Sequence, residues 1–200
     1  MKEAQLNELL YQALETEIGG QAIYKSAIEC AANKDLAEEW QKYLEETTQH
    51  EQILLELFAR IGLDPKLETP GRAIVRMKGE GLVAANKAAL KAFGKSGAQL
   101  TASESVVEAE TKDHQNWELI GRCADALSGA KAAALREAYE QVEEQEDQHL
   151  YHTMGWSREL WIEALGMPAV LPPPEEEKKV VTAIGAARAE QGREQMLRGR

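Results

Sequence analysis

The segment SESVVEAETKDHQNWELIGRCADAL, residues 103–127, repeats a pattern already present in LYQALETEIGGQAIYKSAIECAANK, residues 10–34. At an offset of 93 residues Glu110 falls on Glu17, Glu108 on Glu15, Val107 on Leu14, Val106 on Ala13 and Trp117 on Tyr24. Ala124 falls on Ala31, and Cys123 falls on Cys30, the two being the only cysteines of the chain. The next segments match at an offset of 99, which pairs Trp40 with Tyr139, Glu45 with Glu144, Gln49 with Gln148 and His50 with His149. Self-similarity at a fixed spacing is the mark of a repeated unit. Matched Cys, His and Trp are rare types that Ala- and Glu-rich helices do not readily align by chance. The chain therefore reads as two duplicated helical hairpins joined by a crossover segment, an all-α four-helix bundle.

Working outward, helical periodicity runs nearly everywhere, in segments rich in residues that cost a helix least. A first helix spans about Lys2 to Asn33, with an apolar stripe of Leu6, Leu10, Leu14, Ile18 and Ala22. A second begins with Asp35 as N-cap, carries Trp40, Tyr43, Leu44, Leu54, Leu57 and Phe58, and ends near Gly62. Thr69-Pro70 opens the crossover helix, because proline fits the first helical position. That helix runs to Phe93, and Gly94 to Ala102 reads as a loop. Two more helices cover Ser103 to Leu127 and Ala130 to Ala164, completing a bundle domain over residues 1–165. Residues 166–200 form an appendage: a polyproline-like arm at Pro168 to Pro174, then a polar helix from Glu175 to Leu197.

A net charge of −11 excludes a binder of nucleic acid, which needs a basic face to neutralise phosphates. Two cysteines without C-x-x-C spacing make neither a disulfide framework nor a thiolate metal site. No apolar run reaches the roughly 20 residues that span a bilayer, and Met1 to Glu8 is too polar for a secretion signal. The expectation is a soluble cytoplasmic protein with no membrane partner.

Positions seven apart on a helix drift only about 20° and share a face. On the first helix Leu10, Leu14, Glu17, Gln21 and Tyr24 form one stripe, which places an acid amid apolar residues. Val106, Val107, Glu110, His114, Trp117 and Gly121 form another. The second helix presents Tyr43, Thr47, His50, Leu54 and Leu57, and the last presents Val142, Glu146, His149, Thr153 and Trp156. Buried carboxylates cost several kcal/mol unless paired or metal-bound. Glu17, Glu110 and Glu146 converging with His50, His114 and His149 point to a metal ion. A hydrogen-bonded polar layer without metal is the alternative.

These residues resemble the ferritin-like superfamily of ferritins, rubrerythrins and their relatives. Those proteins hold di-iron or di-manganese with a Glu from each of two helices and Glu-x-x-His from the other two. Glu17 followed by Tyr24, Glu110 followed by Trp117, and Glu146-Asp147-Gln148-His149 carry the resemblance, which covers Ala4 to Met154. It implies Glu17 and His50 on one metal, Glu146 and His149 on the other, and Glu110 bridging. The first hairpin departs from the pattern, with Thr47 three residues before His50. Glu46, about 70° from the centre of its stripe, or His114, one turn from Glu110, would have to replace the missing ligand. A complete dinuclear site, a single-metal site and a degenerate site all remain open.

The resemblance implies iron or manganese and an oxidoreductase reacting with dioxygen or peroxide. A non-enzymatic scaffold is the alternative, and iron storage fits the long C-terminal extension poorly. Trp156, Leu160, Trp161, Leu165, Met167, Val170 and Leu171 are too apolar for a free tail, so the arm is expected to pair two copies as a homodimer. Truncation after Gly166 should then give a monomer by light scattering, and an unchanged oligomer would refute the exchanged arm.

Overall fold

The computed structural model describes residues 1–168, and the expected arm and final helix lie outside the described residues. Four α-helices follow in order: α1 (Glu3–Cys30), α2 (Lys34–Ile61), α3 (Pro70–Ala126) and α4 (Gly129–Ala164). No strand occurs among the described residues, and none of their helices is long and apolar enough to cross a membrane.

Local chemistry sets the helix ends. The N-cap of α2 is Asn33, two residues before the expected Asp35; its side chain accepts a hydrogen bond from Leu36 N. Gly62, at φ 75°, closes α2 in the left-handed conformation that glycine adopts without strain. Thr69 caps α3 through Arg72 N with Pro70 behind it, as the sequence pattern implies.

The expected loop from Gly94 to Ala102 is not one. Only Gly94 leaves helical geometry, at φ 65° and ψ −176°, so α3 consists of two arms, residues 70–93 and 95–126. The reversal is compressed into one residue because the next turns of helix are needed for packing: Ala98 and Ala102 are fully buried. Gln99 also accepts from the backbone N–H groups of Ala32 and Asn33, beyond the end of α1.

The second arm of α3 forms a square with α1, α2 and α4, in which each helix packs on two neighbours. The core falls into two apolar halves. Leu10, Leu14, Leu54, Phe58, Ile120 and Leu135 occupy one; Tyr24, Leu36, Trp40, Ala102, Val106 and Leu160 occupy the other. Between them lies a buried polar layer. The α1 stripe turns at this layer: Ile18 is 37% exposed and Ala22 exposed, whereas Glu17, Ile23 and Tyr24 are buried. Steps of four drift about 40° around a helix, so the i+4 series Leu14, Ile18, Ala22 rotates out to solvent. Trp156 and Leu160, expected in a binding arm, are part of this core, while Trp161, Leu165 and Met167 are exposed at the end of α4.

The first arm of α3 is strapped along α1 by polar contacts. Asn86 Nδ2 donates to Ser26 Oγ at 2.9 Å. Glu15 accepts from Arg72 Nε at 2.6 Å and Arg76 Nε at 2.7 Å, and Arg72 also donates to the carbonyls of Pro65 and Leu67. Burial pushes the Glu15 carboxyl up, but Arg76 and Arg72 outweigh it and hold the carboxyl below its ordinary 4.5. Its stabilisation is therefore complete above pH 4.5 and lost as pH falls through the depressed value. Glu15→Gln should remove about 3 kcal/mol, or roughly 6–12 °C in Tm, at pH 7. The gap between variant and parent melting curves should narrow below pH 4, and a gap independent of pH would contradict this account.

Candidate metal centre

The polar layer gathers Glu17 from α1, His50 from α2, Glu110 and Asp113 from α3, and Glu146 and His149 from α4, each at most 4% exposed. Two groups in this layer have metal-ligand geometry: His50 with His149 and Glu146, and Glu17 with Asp113 and Glu146. Within each group, one ligand atom per residue lies within 4.8 Å of the others. Glu146 is common to both groups, the shared position for which the family pattern suggested Glu110.

The imidazoles are oriented from behind. His50 Nε2 donates to Gln145 Oε1 at 2.7 Å, and His149 Nε2 donates to Glu46 Oε2 at 3.0 Å. Gln145 Nε2 in turn donates to Glu46 Oε1 at 3.3 Å, and Lys42 Nζ stands 3.4 Å from that oxygen. Both Nδ1 atoms consequently face the layer's centre. His50 Nδ1 is 3.0 Å from Glu146 Oε1, and His149 Nδ1 is 3.6 Å from Glu110 Oε2 and 3.7 Å from Glu146 Oε1. Trp117 Nε1 donates to Glu17 Oε1 at 2.7 Å and fixes that carboxylate.

Seven buried atoms of the layer make no well-aligned hydrogen bond, although several stand at ion-pair distance from one another. They are Glu17 Oε2, both His Nδ1 atoms, Glu110 Oε2, Asp113 Oδ1, and both oxygens of Glu146. Unsatisfied buried groups are rare and each calls for an explanation. Carboxylate oxygens and imidazole nitrogens, held by an outer layer and facing one another without aligned hydrogen bonds, are compatible with a divalent cation. Orientation of a ligating His through its other nitrogen is the usual arrangement around bound metal.

Two expected ligands stand elsewhere. Glu46 lies behind His149, engaged with Nε2, so it orients an imidazole and does not replace the carboxylate absent at Thr47. His114 is half-buried and bonds Asp147 Oδ1 through Nε2 at 2.7 Å. Its neighbour Asp113 takes the inward position, a shift of 100° that stripe geometry alone resolves poorly. Thr47 is 2% exposed and sets its methyl group against Gly20 of α1, where a side chain's Cβ would approach to 3.3 Å. Tyr43 closes the layer on the far side: its ring centroid is 4.3 Å from that of His149, and its hydroxyl meets Glu39 at 2.7 Å and His152 Nδ1 at 2.8 Å. A cavity of about 320 Å³ between α3 and α4 adjoins the layer at Glu146; Glu118, Glu143, Asp147, His114 and Arg122 also line it.

Compared with known protein families, characterised proteins and solved structures, the chain matches none.

Without a cation Glu17, Asp113 and Glu146 hold their protons more tightly than ordinary carboxyls. Burial and the charge of Glu110 push the Glu146 carboxyl up to about 8. Burial, then the neighbouring carboxylates, drives Glu17 and Asp113 well above the ordinary range. Burial and His149 lower the His50 pKa; at His149 burial acts in the same direction, but Glu110 and Glu46 prevail and raise it to about 10. A cation must displace these protons, so binding releases them and strengthens as pH rises. Affinity for Mn²⁺ should climb by at least about tenfold per pH unit from 6 to 8. Isothermal titration in buffers of different ionisation enthalpy would measure the released protons, and affinity flat with pH would exclude these groups as ligands.

Proposed function

We propose that this chain is a ferritin-like metal protein whose buried centre binds iron or manganese and supports oxidation by dioxygen or peroxide. The observation that carries the reading is the set of buried oxygens and Nδ1 atoms that face one another without aligned hydrogen bonds, between two apolar halves of the bundle. Imidazole and carboxylate together suit both iron and manganese. The metal supplies redox chemistry when bound. Glu17, His50, Glu110, Glu146 and His149 hold it, while Glu46, Gln145 and Trp117 fix the orientation of three of them. The two apolar halves exclude bulk water, and the acidic cavity beside Glu146 leaves a small molecule or ion a way in.

Duplication is part of the same reading. Glu17 and Glu110, His50 and His149 meet in the polar layer, whereas Cys30 and Cys123 sit with opposite halves of the core. Two copies of one hairpin related by a twofold axis through the centre would give that placement. The absent carboxylate at Thr47 favours a second reading, a scaffold whose centre no longer binds metal.

Elemental analysis after anaerobic loading with Fe²⁺ and desalting separates the two. Between about one and two ions per chain are expected, with loss to background in Glu146→Gln/His149→Gln. Oxygen uptake by the loaded protein should fall with the metal. No metal above the variant's background would leave the scaffold reading.

A further inference from the structure

Asp113 has no counterpart in the pattern that suggested a metal site, yet it is buried in the same layer. It is 4% exposed and its Oδ1 has no partner. It follows Glu110 by three residues, as His149 follows Glu146 on the facing helix, so it enters the layer one turn along α3. There it groups with Glu17 and Glu146, while the two histidines group with Glu146. The groups adjoin, since His50 Nδ1 is also 3.8 Å from Glu17 Oε1 and His149 Nδ1 is 3.6 Å from Glu110 Oε2, but both imidazoles fall in one and Asp113 in the other.

Charge favours two cations. Glu17, Glu110, Asp113 and Glu146 bring four negative charges into an interior nearly closed to solvent. Two divalent ions with neutral imidazoles balance them. A single ion would leave two charges uncompensated or two protons retained, and isolated buried charge is very costly.

We propose, resting on the metal reading above, that the centre has two unlike positions. One is an imidazole position formed by His50 Nδ1, His149 Nδ1 and Glu146; the other is an all-oxygen position formed by Glu17, Asp113 and Glu146. Imidazole favours Fe²⁺ or Zn²⁺, whereas carboxylate-only sites favour Mn²⁺ or Mg²⁺. The positions therefore differ in metal preference, and the chain accommodates a mixed pair. Asp113 supplies, from α3, a carboxylate in place of the one that Thr47 withholds on α2.

The full chain is loaded anaerobically with Mn²⁺ alone, then with equal Fe²⁺ and Mn²⁺, and counted after desalting. The parent should hold about two Mn²⁺ in the first case; in the second, Mn²⁺ should be retained only at the all-oxygen position, where the general preference for Fe²⁺ is weakest. Asp113→Asn, nearly isosteric, should hold about one ion and, from the mixture, retain Fe²⁺ while losing most Mn²⁺. Glu17→Gln, acting at the same position, should do likewise, and circular dichroism confirms that each variant is folded. Electron paramagnetic resonance gives an independent readout: exchange-coupled Mn²⁺ in the parent, isolated Mn²⁺ in the variants. Two ions in folded Asp113→Asn, or one ion in the parent, would overturn the second position and leave the metal reading standing. No ion in the parent would overturn both.

Discussion

Charge buried in the middle of an apolar bundle is the constraint on which the rest of this structure depends. Four carboxylates and two imidazoles share one layer, and neither half of the core can relieve them. The layer persists either by holding protons or by holding cations. The raised values at Glu146, Glu17 and Asp113 describe the first state, and oxygens without aligned hydrogen bonds are compatible with the second. Both states demand that the acids stay close together, which is work for the four surrounding helices.

The surrounding residues divide that work. Trp117 reaches from α3 to Glu17 of α1, and Gln145 and Glu46 link α4 to α2 behind the histidines. Each of these bonds crosses between helices, so the outer polar layer aligns ligands and holds the bundle in register together. The Glu15 contacts with Arg72 and Arg76 do the same for the crossover arm, a layer further out. Moving from the centre, acids that face buried histidines and one another give way to Glu46, held by Gln145 and Lys42, then to Glu15, held by two arginines. Their protonation changes in parallel, from raised at Glu146 to lowered at Glu46 and Glu15.

The bundle class, the helix order and five inward residues were legible from periodicity, because Glu17, Glu110, Glu146, His50 and His149 interrupt apolar stripes whose period is that of the helix. Two features were not. Gly94 reads as part of a loop by composition, since Gly, Lys and Ser cluster there; only the burial of Ala98 and Ala102 makes residues 95–102 helical. Asp113 and His114 are adjacent, and a heptad count favours His114 by its offset from Val107. Helices pack in three dimensions, so a choice between neighbours rests on which side chain finds room between α1 and α4. A paired reading held a usable signal: Glu110-x-x-Asp113 has the spacing of Glu146-x-x-His149. Nothing in the sequence alone made Glu46 an orienting group, because that role depends on where His149 Nε2 points.

Thr47 on α2 and Asp113 on α3 together set the symmetry of the layer. With a carboxylate three residues before each histidine, the two halves of the layer would offer equal donor sets, and a duplicated hairpin would give a symmetric centre. Thr47 instead sets a methyl group against Gly20, and α1 and α2 gain close packing where the charge would have been. A buried carboxylate stands instead on α3, at Asp113, grouped with Glu17 and Glu146. The donors on the two sides of the layer are therefore unlike, and the cavity between α3 and α4 adjoins the layer at Glu146, the one residue belonging to both groups.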